Sequence, residues 1–162
     1  MKLFHIAAGM MLALAAACAT TQQEAAGTDY YVMRHLQKGE GTDPGLSQEG
    51  QVQAERLATW FGKNRPTAIY VSTTRRARET AAALAARLGL TAKEYNPTDT
   101  AGLVQRLLAE KGTVLVVGHS NTVPEIVERL GGARPAPIAE TEYGDIWLVA
   151  GGEPRRTQKL KL

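Results

Sequence analysis

The sequence predicts an α/β fold: a three-layer sandwich in which a mostly parallel central sheet carries helices on both faces. Strand-like and helix-like segments alternate along most of the chain, as they do in sheets built from crossover units. Residues 113–117, Thr-Val-Leu-Val-Val, form an unbroken apolar run of the kind found in a strand covered on both sides. Length and composition fit one such domain. The chain has 162 residues, 44% of them hydrophobic and 22% charged, which excludes a disordered tail or a multi-span membrane protein. Its net charge of +3 is too small to imply a nucleic-acid partner.

The N-terminus reads as an address. Met1-Lys2 is a short basic start, and Leu3 to Ala17 is uncharged and rich in Ala, Leu and Met, so residues 1–17 are expected to be a signal peptide. The run is shorter than the roughly 20 residues a membrane-spanning helix needs. Leu14-Ala15-Ala16-Ala17-Cys18 resembles a bacterial lipobox, which makes Cys18 the expected lipidation site and the protein an exported, periplasmic lipoprotein. A single cysteine excludes an internal disulfide and a Cys-based zinc site. Residues 18–28 are small and polar, suited to a flexible tether, with the domain occupying 29–162. The expected membrane contact is the lipid anchor alone.

Within the domain, Tyr30 to Met33 is a short strand that stops at Arg34-His35, followed by a loop marked by Gly39, Gly41, Pro44 and Gly45. Ser47 is placed to cap a helix running to about Phe61, with Val52, Leu57, Trp60 and Phe61 as its apolar stripe. Residues 68–71 repeat the strand pattern, and Thr74 can cap a helix through Leu84 and Leu88 to Gly89. A short edge strand over 92–96 precedes a helix capped by Thr98 or Asp99 and stopped by Gly112. After the 113–117 strand, Pro124 opens a helix to Leu130, and 146–149 and 157–162 are two last strands. Trp60 and Trp147 are expected in the core.

Two histidines remain outside the leader, and both end an apolar strand: His35 and His119. Ligands of open α/β sheets bind at the carboxyl ends of the strands, so the two rings can share one crevice if their strands are neighbours. Arg34 lies on the same rim, and Arg75, Arg76 and Arg78 open a helix, where backbone N–H groups and guanidinium forks favour an anion such as phosphate. A neutral imidazole whose second nitrogen is fixed by a carbonyl can attack phosphorus, giving a phosphohistidine that water hydrolyses without a metal. Arginines then stabilise the transferring group.

Val32-Met33-Arg34-His35 with Lys38, Asp43-Pro44-Gly45-Leu46-Ser47 with Gly50, Ser72 through Arg76-Ala77 to Glu79-Thr80, and Val117-Gly118-His119-Ser120-Asn121 together resemble the histidine phosphatase superfamily, with its phosphoglycerate mutase-like fold. The four motifs follow in the family's order and span nearly the whole domain. The resemblance implies that His35 is the phosphorylated nucleophile and that Arg34, Arg76 and His119 complete the phosphate pocket. The family's usual leaving-group acid has no clear match between Glu94 and Asp99, where Asp99 is the expected acid, and Lys38, Ser120 and Asn121 are the expected substrate-binding residues. Where many members carry Gly or Ala and then Glu after the Arg-His pair, this chain has Leu36-Gln37, which removes a carboxylate near the nucleophile. The short stretch from Gly89 to Gly112 leaves little material for a lid, which points to an open site.

Three functions fit these residues. The first is a metal-independent phosphatase acting on small phosphate monoesters through phosphorylated His35, with no cofactor and no metal. The second is a non-catalytic lipoprotein of the same fold that binds a phosphorylated ligand. The third, a metal hydrolase using His35 and His119, lacks an evident carboxylate ligand pattern. Glu140 and Glu142 read as an acidic loop before a strand, and Arg155, Arg156, Lys159 and Lys161 as solubilising charge.

Overall fold

The computed structural model describes residues 27–162. The proposed leader, Cys18 and most of the tether lie outside the described residues. Ten elements follow in order: β1 (Asp29–Arg34), α1 (Gln48–Trp60), β2 (Ala68–Ser72), α2 (Arg75–Leu88), β3 (Lys93–Tyr95), α3 (Thr100–Leu108), β4 (Thr113–Gly118), α4 (Val123–Arg129), β5 (Asp145–Ala150) and β6 (Arg156–Lys161). They build one six-stranded sheet of order β3-β2-β4-β1-β5-β6. β3, β2, β4 and β1 run parallel, whereas β5 and β6 join antiparallel at the far side. The expected three-layer α/β architecture is what forms.

Alternation along the strands decides which helix covers which face. Tyr30, Val32, Val114 and Val116 pack with Leu103, Val104 and Leu107 of α3 and Val123, Ile126 and Val127 of α4. Tyr31, Met33, Leu115 and Val117 point the other way, toward Ala54, Leu57 and Ala58 of α1 and Ala77, Ala81 and Leu84 of α2. The small alanines let α1 and α2 approach each other closely over the sheet. Two expectations for α1 change. Val52 is exposed, because Ala54, Leu57, Ala58 and Phe61 carry the buried stripe and Val52 lies to one side of it, on a groove against α2. Trp60 is only half-buried, stacking edge-on with Tyr31 and donating its indole N–H to Lys161 O, while Trp147 is in the core.

The caps show where local chemistry sets the helix starts. Ser47 Oγ accepts from Gly50 N at 3.2 Å, and Asp99 accepts from Gly102 N at 2.8 Å. Thr74 occupies the N-cap position of α2 but its hydroxyl turns to Ser72 Oγ at 3.0 Å, and the Arg75 N–H is taken instead by the carboxylate of Asp43. Among the described residues no helix is long and apolar enough to cross a membrane.

Leu115 is fully buried at the centre of the sheet, between β1 and β2. Replacing it with Ala is expected to lower stability by about 2–5 kcal/mol in urea denaturation, since the flanking strands cannot collapse into the space. A loss below about 1 kcal/mol would contradict this packing.

Candidate active site

β1 and β4 are direct neighbours in parallel register, with Arg34 opposite Gly118. The next residue on each strand is a histidine. His35 N donates to Gly118 O at 2.9 Å, which extends the ladder one step beyond the strands and brings the two rings to a centroid separation of 5.3 Å, edge to face. Gly118 is required there: a Cβ would meet Thr122 Oγ1 at 2.9 Å and Tyr95 Oη at 3.0 Å. On the other side of β4, β2 ends at Ser72, whose Oγ lies 2.8 Å from His119 Nε2. Three adjacent strand ends thus meet at one site.

The hydrogen bonds assign the tautomers. His35 Nδ1 donates to Leu36 O at 2.8 Å, so its Nε2 carries the lone pair. Arg76 Nη2 approaches His119 Nδ1 at 3.4 Å; a guanidinium only donates, so His119 accepts there and its Nε2–H faces Ser72. Burial above all, then the neighbouring positive charges, holds both imidazoles at a pKa of about 4. Both are therefore neutral at physiological pH.

Arg34 is buried and its donors can be counted. Nη1 donates to Ala139 O at 2.8 Å and Glu142 O at 3.1 Å, and Nη2 to Glu140 Oε2 at 2.8 Å and Tyr143 Oη at 3.4 Å. Its guanidinium also lies 4.3 Å from the Tyr143 ring centre. The fifth donor, Nε, is buried without a partner, as is Nε of Arg76. Guanidinium N–H groups are strong donors to anions, and these two are not used by other protein groups.

α2 connects these groups. Thr80, fully buried one turn after Arg76, accepts from Leu36 N at 3.0 Å and donates to Arg76 O at 2.8 Å. Leu36 is the residue whose carbonyl holds the His35 ring, so one hydroxyl ties the backbone beside His35 to the helix bearing Arg76. Glu79 reinforces the link by accepting from Leu46 N at 2.6 Å.

Of the residues expected at the site, His35, His119, Arg34 and Arg76 converge, with Ser120 beside them. Asn121 is exposed in the turn after Ser120, and Lys38 is exposed on the loop after β1, close enough to influence the charge of Glu140. Asp99 does not join them: its carboxylate is exposed and caps α3, and no hydrogen bond or ion pair links it to either histidine. The residue that sequence reasoning passed over is Glu140. Its Oε1 accepts from Ser120 Oγ and its Oε2 from Arg34, both at 2.8 Å. Only its position in a loop shortly before a strand signalled it, and many loop acids share that. No cluster of three or more His, Cys, Asp or Glu side chains that could hold a metal ion occurs among the described residues.

The family model described as "Histidine phosphatase superfamily (branch 1)" matches residues 28–97, from the start of β1 through β3. Over that stretch the chain is similar to the histidine phosphatase superfamily. No curated protein matches it in sequence. Among solved structures, this chain is similar to a mycobacterial glucosyl-3-phosphoglycerate phosphatase, with TM-score 0.65 and 17% identity over 82% of this chain and 97% of the other. It is also similar to a putative phosphohistidine phosphatase SixA from Agrobacterium tumefaciens, with TM-score 0.63 and 21% identity over 84% and 99%. A protein histidine phosphatase SixA complexed with tungstate gives 0.61 and 20% over 82% and 94%. These likenesses establish a shared fold.

Two measurements test this geometry. In an NMR titration the His35 and His119 ring signals should move with midpoints near pH 4 rather than 6.5. Stability should fall as pH drops from 6.5 toward 4, because the unfolded chain binds protons that the buried rings refuse; midpoints at the ordinary value would refute the burial argument. Separately, Thr80→Val leaves Leu36 N–H buried and unpaired and should cost about 1–3 kcal/mol, with Thr80→Ser restoring most of it. An undiminished Val variant would remove Thr80 from the site's support.

Proposed function

We propose that this protein is a metal-independent phosphatase that hydrolyses small phosphate monoesters through a phosphohistidine on His35. The observation that carries the reading is the pair of neutral rings 5.3 Å apart, with the His35 Nε2 lone pair free and two buried guanidinium N–H groups unpartnered beside them. A phosphoryl group bound by those N–H groups meets Nε2 as nucleophile. The P–N bond forms as the ester P–O bond breaks, and water then attacks phosphorus and returns the electron pair to Nε2. Arg34 and Arg76 stabilise charge on the phosphoryl oxygens throughout. His119 holds Arg76 through its acceptor nitrogen, and Ser72 fixes His119 in that tautomer.

Similar folds holding tungstate and inorganic phosphate support an oxyanion pocket in this one. The named substrates of these neighbours range from protein phosphohistidine to a phosphorylated sugar acid, which leaves the leaving group to this chain's own residues. Export through the 1–17 leader, with lipid attachment at Cys18, belongs to the same proposal and confines the substrate to phosphate esters met outside the cytoplasm. A binding-only role is favoured by one observation: all four Nη hydrogens of Arg34 are already engaged by the 139–143 loop.

Rapid quench with a labelled monoester separates the two. Turnover with acid-labile, base-stable phosphate on His35 is expected; retained ligand binding with neither phosphoenzyme nor product would favour the binding role. His35→Ala should abolish turnover while leaving the fold intact, and Arg76→Ala should cost about 2–4 kcal/mol of transition-state stabilisation.

A further inference from the structure

We infer that Glu140 is the catalytic acid of this site, the carboxyl that protonates the departing oxygen and afterwards activates the hydrolytic water. The inference rests on the phosphatase reading above and deepens it. The carboxylate bridges two parts of the pocket: Oε2 accepts from Arg34 Nη2 and Oε1 from Ser120 Oγ. Arg34 keeps one buried donor, Nε, without a partner. Ser120 follows His119 and also lines a recess of about 170 Å³ walled by Asn121, Pro124, Arg134, Pro135 and Pro137. Glu140 therefore stands between the phosphate cradle and a small recess suited to a compact polar leaving group. That is the position from which a proton reaches the bridging ester oxygen.

Among the described residues no other carboxyl takes this place. Asp99 caps α3. Asp43 accepts from Arg75 N and lies on the Arg76 side of the site, with Oδ1 3.7 Å from Nη1. Glu79 is committed to Leu46 N and Arg75. Neither histidine carries a spare proton at neutral pH.

The charges around Glu140 explain how it gains one. In the free protein the Ser120 hydrogen bond, Arg34 and Lys38 hold it below the usual carboxylate range, and it in turn raises the proton affinity of His119. A dianionic phosphoryl group on Arg34 competes for that guanidinium and adds negative charge nearby, and both effects raise the proton affinity of Glu140. Its side chain is 74% exposed, so the proton comes from solvent. In the first step the P–O bond breaks, His35 Nε2–P forms, and the Glu140 O–H proton passes to the departing oxygen. In the second, the Glu140 carboxylate takes a proton from the water whose oxygen bonds to phosphorus, and the P–N electrons return to Nε2.

The test compares Glu140→Gln with the unaltered protein on three monoesters: p-nitrophenyl phosphate, whose phenolate leaves without a proton, then phenyl phosphate, then glycerol phosphate, whose alkoxide cannot. Expected for the variant is a kcat/KM within about threefold on the first and lowered by about 100-fold or more on the last. Phosphorylation of His35 by p-nitrophenyl phosphate should stay at the unaltered rate, which shows that the variant is folded and its cradle intact. An equal loss on all three esters would overturn the inference and make Glu140 a partner that merely orients Arg34. Absence of phosphoryl-His35 in the unaltered protein would instead overturn the phosphatase reading, and the acid role with it.

Discussion

The parallel pairing of β1 with β4 is the constraint on which this molecule depends. It is fixed by the alternating burial of Tyr30 to Met33 and Val114 to Val117, in which each residue faces one helical layer and its neighbour the other. A slip of one residue would reverse both sets and drive the core face outward. The same register sets His35 opposite the turn after Gly118, and the His35 N–H bond to Gly118 O makes the histidine pair a continuation of the sheet rather than a property of two loops. A site held this way keeps its reacting atoms in place without spending binding energy on order.

Burial then shapes the chemistry. Removing two imidazoles from water beside two guanidinium groups makes their charged forms costly, so both stay neutral and one keeps a free lone pair. The arginines face the opposite difficulty, since a buried cation needs a partner. Asp43 lies near Arg76 and Glu140 contacts Arg34, so each arginine has a carboxylate beside it in the free protein. Neither carboxylate reaches the two Nε donors, which have no hydrogen-bond partner.

Much of this was legible in the sequence, for reasons that can be named. β4 is an unbroken apolar run, α2 ends at a glycine of positive φ (+66°), and both histidines sit at the ends of apolar runs. The order of the strands was not legible, because pairing between segments about 80 residues apart leaves no local pattern. Nor was the half-exposure of Trp60, which depends on β6 ending beside it. Asp99 illustrates a subtler failure. The residue was seen both as a helix cap and as an acid, and one carboxylate folded against Gly102 N serves the first role away from the second. Glu140 is the reverse case, an acid in a patternless loop whose meaning comes only from where Arg34 draws it.

That last contact changes how Arg34 should be understood. Four of its five donors organise the 139–143 loop, through two carbonyls, a carboxylate and a phenol, and only one remains for a ligand. The loop in turn lays Tyr143 within 6.1 Å of the His35 ring and sets Glu140 over Ser120. Loss of this guanidinium would therefore release the loop and the carboxylate together and remove the unpartnered Nε donor, so a defect at Arg34 would combine all three. Arg76 is the cleaner reporter of anion binding, because its backbone is secured by Thr80 and its contact with His119 lies wholly inside the pocket. The two arginines are alike in residue type and in proximity to the histidines, yet one mainly builds the wall of the site and the other mainly lines it.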